Sequence, residues 1–352
     1  MKDSTHVHPV SITGIGRYMP EQVVTNDDIA RVVDTSDEWI TTRTGIKERR
    51  VVGRNETATF LASEAARKAM EFASIAAEDI DLIIVATSLP DSLYPSTACE
   101  VQAEIGAVNA AAFNVVAACT GLVYGISIAR NFIMSGTYST VLLIGVDIHS
   151  RFLNWNDKST CILFGDAAGA LVLQKSLDGI NEILSVDIRS NGNKANELYI
   201  PLQGQNSPFV GHNGRKEQFV NMNGKEIYKF AVSSMPESIK RALSIAGLEV
   251  RDIDYLIPHQ ANIKIINSIA DKLGLAPEQV VTNLDRYGNT STASIPVALV
   301  EELDKGTIKI PSIMAMCGFG AGLTWGTAIV KWRAVDKRKA EEAMKGTSHH
   351  SL

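Results

Sequence analysis

The sequence predicts a layered α/β protein built from two similar halves. Three observations carry that expectation: a composition rich in apolar and small residues, apolar runs too continuous for one-sided burial, and a self-match spanning about half the chain. Of 352 residues, 45% are hydrophobic and 21% charged, with 26 glycines. That is ample material for a core, and it excludes a disordered or collagen-like chain. Runs such as Leu82-Ile83-Ile84 read as strands covered on both faces, as in a parallel or mixed sheet.

In chain order, the first amphipathic helix carries Ala66-Arg67-Lys68-Ala69-Met70 and leads through the acidic turn Asp79-Ile80-Asp81 into that strand. Residues 105–129 hold no charged side chain, yet Asn109, Asn114, Thr120 and Ser127 interrupt the roughly 20 apolar residues that a membrane span needs. The stretch reads instead as a strand at 113–118 running into a buried helix through Gly121, Leu122, Gly125, Ile126 and Ala129. A strand at 170–173 closes the first half, and the join falls at 177–179. The second half then repeats the opening with Ile239-Lys240-Arg241-Ala242-Leu243, Asp252-Ile253-Asp254 and the strand Tyr255-Leu256-Ile257-Pro258. Asp252 follows Asp79 by 173 residues, a period that signals a duplicated domain rather than a solenoid. A helix with Ile263, Ile266, Ile269 and Leu273 comes next, then a strand at 280–283, a helix opening at Asn289, and a glycine-rich turn at 316–326. The halves are expected at 1–178 and 179–335, with 336–352 a charged tail read as a short helix followed by residues foreign to the fold.

Several function classes fall away. Lys and Arg number 34 against 39 Asp and Glu, a net charge of −5 and the wrong sign for a nucleic-acid binder. Cys99, Cys119, Cys161 and Cys317 form no CxxC or CxxH pair, so neither a disulfide framework nor a metal site is expected. The first ten residues carry no apolar signal core, and the chain reads as cytoplasmic, with no membrane partner.

The chemistry is found by elimination. Of seven histidines, His6, His8, His349 and His350 lie near the termini, and His212 sits in a Gly-His-Asn-Gly loop that reads as solvated surface. His149 and His259 remain. His259 ends an apolar strand, where α/β sheets bind ligands, although a satisfied structural histidine fits that position equally. Cys119 holds the matching place in the first half, at a helix N-terminus whose positive end favours thiolate. A buried structural cysteine fits the same pattern. The turn Gly318-Phe319-Gly320-Ala321-Gly322 lacks the βαβ unit and downstream acid of a dinucleotide site. It suits close backbone approach, with N–H groups exposed as an oxyanion hole.

Taken together, Ala118-Cys119-Thr120-Gly121, Pro258-His259-Gln260-Ala261-Asn262, Gly288-Asn289-Thr290-Ser291 and 319–326 make a set that resembles β-ketoacyl-acyl-carrier-protein synthase III. These are the initiating condensing enzymes of type II fatty acid synthesis, in the thiolase superfamily. Supporting stretches are 35–46, 95–99 and Phe164-Gly165-Asp166-Ala167-Ala168-Gly169-Ala170, and the likeness spans residues 9–333. It implies duplicated βαβαβαββ halves in five layers, α-β-α-β-α. It implies Cys119 as the acyl-accepting nucleophile, His259 and Asn289 as hydrogen-bond donors to malonyl-ACP, and the N–H groups of Cys119 and Ala321 as the oxyanion hole. Acyl-CoA and malonyl-ACP would be substrates, with no cofactor, and the product 3-oxoacyl-ACP.

The resemblance further implies CoA contacts at Trp39, Arg43, Lys158, Gly224 and Lys264. It implies an acyl-carrier-protein surface at Gln260, Ala261, Asn262, Ile263 and Lys264, to which Lys229 and Lys272 add charge. Tyr94 and Leu122 would shape the acyl pocket; the bulk of Tyr94, at a position the partner subunit uses to close the pocket, implies a homodimer and a short primer such as acetyl. Lys158, Lys225 and Lys264 stand where the family often has Arg, Asn and Arg, and Lys lacks the planar fork of Arg. A thiolase, with Cys317 as its second cysteine, an acyl-condensing enzyme of secondary metabolism and a non-catalytic acyl-binding protein are the competing readings.

Overall fold

Apolar runs become strands because nothing in them needs water. In the computed structural model, which describes residues 7–334 apart from 203–205, 208–210 and 213–216, with backbone alone at 206–207 and 211–212, nine strands form two main sheets. The first sheet comprises β1 (Val10–Tyr18), β2 (Leu82–Ala86), β3 (Ala111–Val115), β4 (Thr140–Asp147) and β5 (Ala167–Lys175), in the order β1-β5-β4-β2-β3. Every residue of β2 and β4 is buried, as strands covered on both faces require. The second sheet comprises β6 (Ile183–Ser190), β7 (Tyr255–Pro258), β8 (Ser312–Gly320) and β9 (Thr324–Trp332), in the order β7-β8-β9-β6.

The two sheets are built alike. β1 begins at Val10 and β6 at Ile183, the same 173-residue offset as the turns at Asp79 and Asp252. β1 and β6 run antiparallel to β5 and β9, which pair antiparallel in turn with β4 and β8; beyond these, β2 runs parallel to β4 and β7 parallel to β8. One expected strand is missing: residues 280–283 make only an isolated bridge, Leu256 with Val280, so the second sheet stops one strand short of the first. Pro277–Gln279 forms a 3-10 turn there, and Asn283 is drawn inward to Gln260 and Glu301 rather than into a ladder.

Helices fill the remaining layers. α1 (Asp37–Thr44) packs at one edge, α2 (Ala58–Ala73) and α3 (Thr97–Ile105) cover the first sheet, and α4 (Gly121–Met134) lies between the sheets. α5 (Gly224–Ile245) and α6 (Ile263–Leu273) cover the second sheet, and α7 (Ser294–Lys305) joins α4 in the middle. The result is the α-β-α-β-α order implied by the resemblance. α2 shows why so many small residues were needed. It starts at the Thr57 cap and presents a column of alanines to β1. A Cβ at Gly14 or Gly16 would stand 2.3 Å from the carbonyl oxygen of Ala69 or Ala65, so only glycine allows this approach. Stretch 105–129 resolves into β3 and α4, and no helix among the described residues is long and apolar enough to cross a membrane. His212 lies in a two-residue strand paired with Asn206, not in an open loop, and the tail 336–352 lies outside the described residues.

Candidate active site

Two short 3-10 turns meet at the centre of the molecule. One is Ala118–Thr120, leading into α4, and the other Ser291–Ala293, leading into α7. Ala118 and Ser291 take positive φ of 45° and 52°, rare for residues with a side chain and a sign of a constrained site. They too are 173 residues apart. The counterpart of Cys119 in the second half is therefore Thr292, not His259 as the sequence pattern implied.

Cys119 sits on the first turn, 7% exposed, and accepts a hydrogen bond from the Ser291 hydroxyl at 3.2 Å. Burial pushes its thiol up to about 12, opposite to the lowering expected from the helix N-terminus. Desolvation of the thiolate outweighs the dipole here. His259 follows β7, where its N–H donates to the Cys317 carbonyl at 2.7 Å. Its ring meets Phe319 edge-on with centroids 5.5 Å apart, and its Nδ1 lies 2.7 Å from Ser294 Oγ. Burial draws its pKa down to about 3, so the imidazole is neutral. With the Ser294 hydroxyl donating to Nδ1, Nε2–H is left as a donor; with the hydroxyl accepting, Nε2 is left as a base. Asn289 bridges to Phe164, and its Oδ1 accepts the Ser291 N–H at 2.9 Å, which leaves the amide NH2 as its free donor.

Cys119, His259 and Asn289 line one pocket, with Gly224, Ala261, Asn262, Ile265 and Phe319 around its outer part. A second cavity of about 690 Å3 also reaches Cys119 and includes Ala321 and His149. Gly320 passes so close that a Cβ there would be 2.8 Å from Cys119 N, bringing the backbone of the 320–321 turn against the N–H of Cys119. The thiol therefore sits at the junction of two pockets, one lined by neutral His259, Asn289 and Gly320 and the other by Ala321 and Gly322.

The remaining sequence-derived residues divide. Arg43 stacks over the Trp39 ring at 4.2 Å and Lys158 Nζ lies 5.6 Å from the same ring, so these three meet at one surface. Asn262 Nδ2 donates to the Arg43 carbonyl at 3.1 Å, tying that surface to the pocket. Lys264 is exposed at the start of α6. Lys229 is held by Glu226 at 2.8 Å and Lys272 by the Val232 carbonyl at 2.8 Å. Gln260, expected on a carrier-protein surface, is instead 1% exposed, and its amide ties Pro258, Val281 and Asn283 together. Ile263 packs with Ile266 and Leu284. Leu122 is fully buried in the main core and lines neither pocket, while Tyr94 is 87% exposed. Cys317 faces the core of the second half, its thiol pushed up to about 12 by burial, and lines neither pocket; that removes the second cysteine a thiolase would need. Among the described residues no group of three or more His, Cys, Asp or Glu is placed to hold a metal ion.

Sequence reasoning missed Ser291 and Ser294, which steer the sulfur and the imidazole. Only the 173-residue register, applied to Ala118, would have marked Ser291.

The chain as a whole is similar to proteins of one family. Residues 113–192 match the family model described as 3-oxoacyl-acyl-carrier-protein (ACP) synthase III, and residues 243–332 match the model of its C-terminal part. A β-ketoacyl-acyl-carrier-protein synthase III of Symbiobacterium thermophilum is 50% identical over 93% of this chain and 99% of its own. The crystal structure of 3-oxoacyl-acyl-carrier-protein synthase III from Aquifex aeolicus superposes with a TM-score of 0.86 at 42% identity, covering 92% of this chain and 100% of that one. The priming β-ketosynthase of the R1128 polyketide pathway has the same TM-score, 0.86, at 31% identity, covering 94% of this chain and 98% of that one.

Proposed function

Because the chain belongs to the 3-oxoacyl-acyl-carrier-protein synthase III family, we propose that it carries out the initiating condensation of fatty acid biosynthesis: an acyl-CoA plus malonyl-ACP gives 3-oxoacyl-ACP, CoA and carbon dioxide. The observation that carries this reading is the meeting of Cys119, His259 and Asn289 in one pocket, with a second cavity beyond the sulfur.

In the first half-reaction the Cys119 sulfur attacks the acyl-CoA carbonyl. The carbon–sulfur bond to CoA breaks, CoA leaves as the thiol, and the proton it takes is the one Cys119 gave up, with neutral His259 as the base at hand. The developing oxyanion is met by the N–H groups of Cys119 and Ala321. In the second, the malonyl thioester carbonyl accepts hydrogen bonds from His259 Nε2 and the Asn289 amide. Carbon dioxide leaves, its bonding electrons flow into the thioester enolate, and the enolate carbon attacks the acyl-Cys119 carbonyl. Cys119 departs as thiolate and takes a proton from solvent, since the one it gave up has left with CoA. Neutral donors suit this step, because negative charge appears only as the reaction proceeds. No resident cofactor enters any step.

CoA would lie along Trp39, Arg43, Lys158, Gly224 and Lys264. The Trp39 ring already attracts two cations, but Lys158 offers a point charge rather than a second flat surface for a base. The acyl carrier protein would dock over Ala261, Asn262, Ile263 and Lys264, with Lys229 and Lys272 on the neighbouring helix faces; Gln260 serves the loop from within. The working unit is a homodimer in the cytoplasm. Exposed Leu93, Tyr94 and Val116, each more than 70% exposed, support the dimer.

Mass spectrometry after mixing with acetyl-CoA tests the reading. An acetyl group should appear on Cys119, fail to appear on Cys119→Ala, and be discharged by malonyl-ACP. Absence of any adduct on the wild-type protein would refute it.

A further inference from the structure

The cavity on the acyl side of Cys119 is not uniformly apolar. Asp147, the last residue of β4, is 1% exposed; its Oδ1 accepts from Thr87 Oγ1 at 3.1 Å and from Ser88 N at 2.9 Å. Its Oδ2 has no hydrogen-bond partner among the described residues. Two residues on, His149 is 8% exposed and lies flat against Phe164, with ring centroids 4.5 Å apart and planes 7° from parallel. Its Nδ1 also lacks a partner among the described residues. Both residues line the cavity that reaches Cys119. Nothing in the mechanism uses either of them.

Two adjacent polar side chains, each more than nine-tenths buried and each with an unsatisfied atom, are a costly thing to place in an apolar pocket. A purely hydrocarbon primer would dehydrate them further and offer nothing in return. The geometry points to a primer whose acyl group carries a hydroxyl that is bonded by His149 and Asp147. This deepens the reading above and rests on it. A hydroxyl is the smallest group that both donates, to a carboxyl oxygen or a bare ring nitrogen, and accepts, from an imidazole N–H. Burial lowers the His149 pKa, which keeps the ring neutral and able to play either part. A second carboxylate on the primer would be a poor fit. The described wall of this cavity holds no lysine or arginine, and its other acid, Asp91, is paired with Arg151 at 2.7 Å. The flat stack on Phe164 holds the imidazole at one orientation, so the preference is a matter of position and not of a mobile side chain finding its partner.

The test compares two four-carbon primers, 3-hydroxybutanoyl-CoA and butanoyl-CoA, with malonyl-ACP as acceptor, by kcat/KM. The wild-type protein should favour the hydroxylated primer at least tenfold, since sites built to bond a hydroxyl discriminate strongly against its absence. His149→Leu should reverse the order, and His149→Asn, which keeps a donor and an acceptor, should retain it. A wild-type ratio of one or below, or the same ratio in His149→Leu as in the wild type, would overturn the inference; the wild-type ratio stands even if a variant fails to fold. An acetyl adduct on Cys119 with no hydroxyl preference removes this inference alone. No adduct from any of the three primers removes the condensing reading and this inference with it.

Discussion

Burial sets the resting protonation of Cys119 and His259. Cys119 is held as the thiol, pushed up to about 12, and His259 is held neutral, drawn down to about 3. The resting pair is therefore uncharged, not a thiolate beside an imidazolium. Alkylation of Cys119 by iodoacetamide should then rise about tenfold per pH unit from pH 6 to 9, because only the scarce thiolate reacts. A plateau near pH 7 would show an ion pair instead. His259 also makes the fold acid-sensitive. The unfolded chain takes up a proton as pH falls below 6.5 while the folded site refuses it down to about 3. Its stabilisation is complete above pH 6.5 and is lost as pH falls toward 3, at up to about 1.4 kcal/mol per pH unit. His149, also lowered by burial, acts in the same direction. Urea unfolding at several pH values should show a shallower slope for His259→Asn than for the wild type; equal slopes would sink this account. At this scale the sequence motifs singled out Cys119, His259 and Asn289, and the fold brings all three to one pocket. The sequence was illegible at Ser291 and Ser294, whose hydroxyls matter only because folding brings them to a sulfur and a ring nitrogen.

Elements were legible where burial dictates pattern. The apolar runs at 82–86 and 255–258 are strands, and the uncharged stretch 105–129 is a strand and a helix. The strand expected at 280–283 failed for a reason no periodicity shows: the buried amide of Gln260 takes the Asn283 N–H and the Val281 carbonyl as partners. Register was the other blind spot, since the strand-end comparison paired Cys119 with His259 while the backbone pairs it with Thr292. Close packing gives this scale its prediction. At Gly16, an added Cβ meets the Ala65 carbonyl oxygen at 2.3 Å and the Ala69 N at 2.5 Å, both backbone atoms that no rotamer change can move. Gly16→Ala should push α2 off β1 and cost about 1–3 kcal/mol, read as a lower thermal midpoint. An unchanged midpoint would mean that the layer yields more easily than its packing suggests.

Across the whole molecule, the repeat was legible because duplication leaves its mark in sequence, and the shape of the larger cavity at Cys119 was not, because its wall draws on distant segments around Asp91, Asp147 and Leu198. Leu93, Tyr94 and Val116 stand bare at 80%, 87% and 76% exposure beside that wall. Tyr94→Asp should turn a dimer into monomers in sedimentation equilibrium; a wild-type protein that is already monomeric would refute the assembly proposed for it. The two elbows at Ala118 and Ser291 have a further consequence. Where Gly121 has no side chain, the Thr292 hydroxyl lies 3.0 Å from the place a Cβ would take, so the two turns pack directly against each other. A side chain at position 121 would press the turn that bears Cys119 away from the turn that bears Ser291, whose hydroxyl now reaches the sulfur at 3.2 Å.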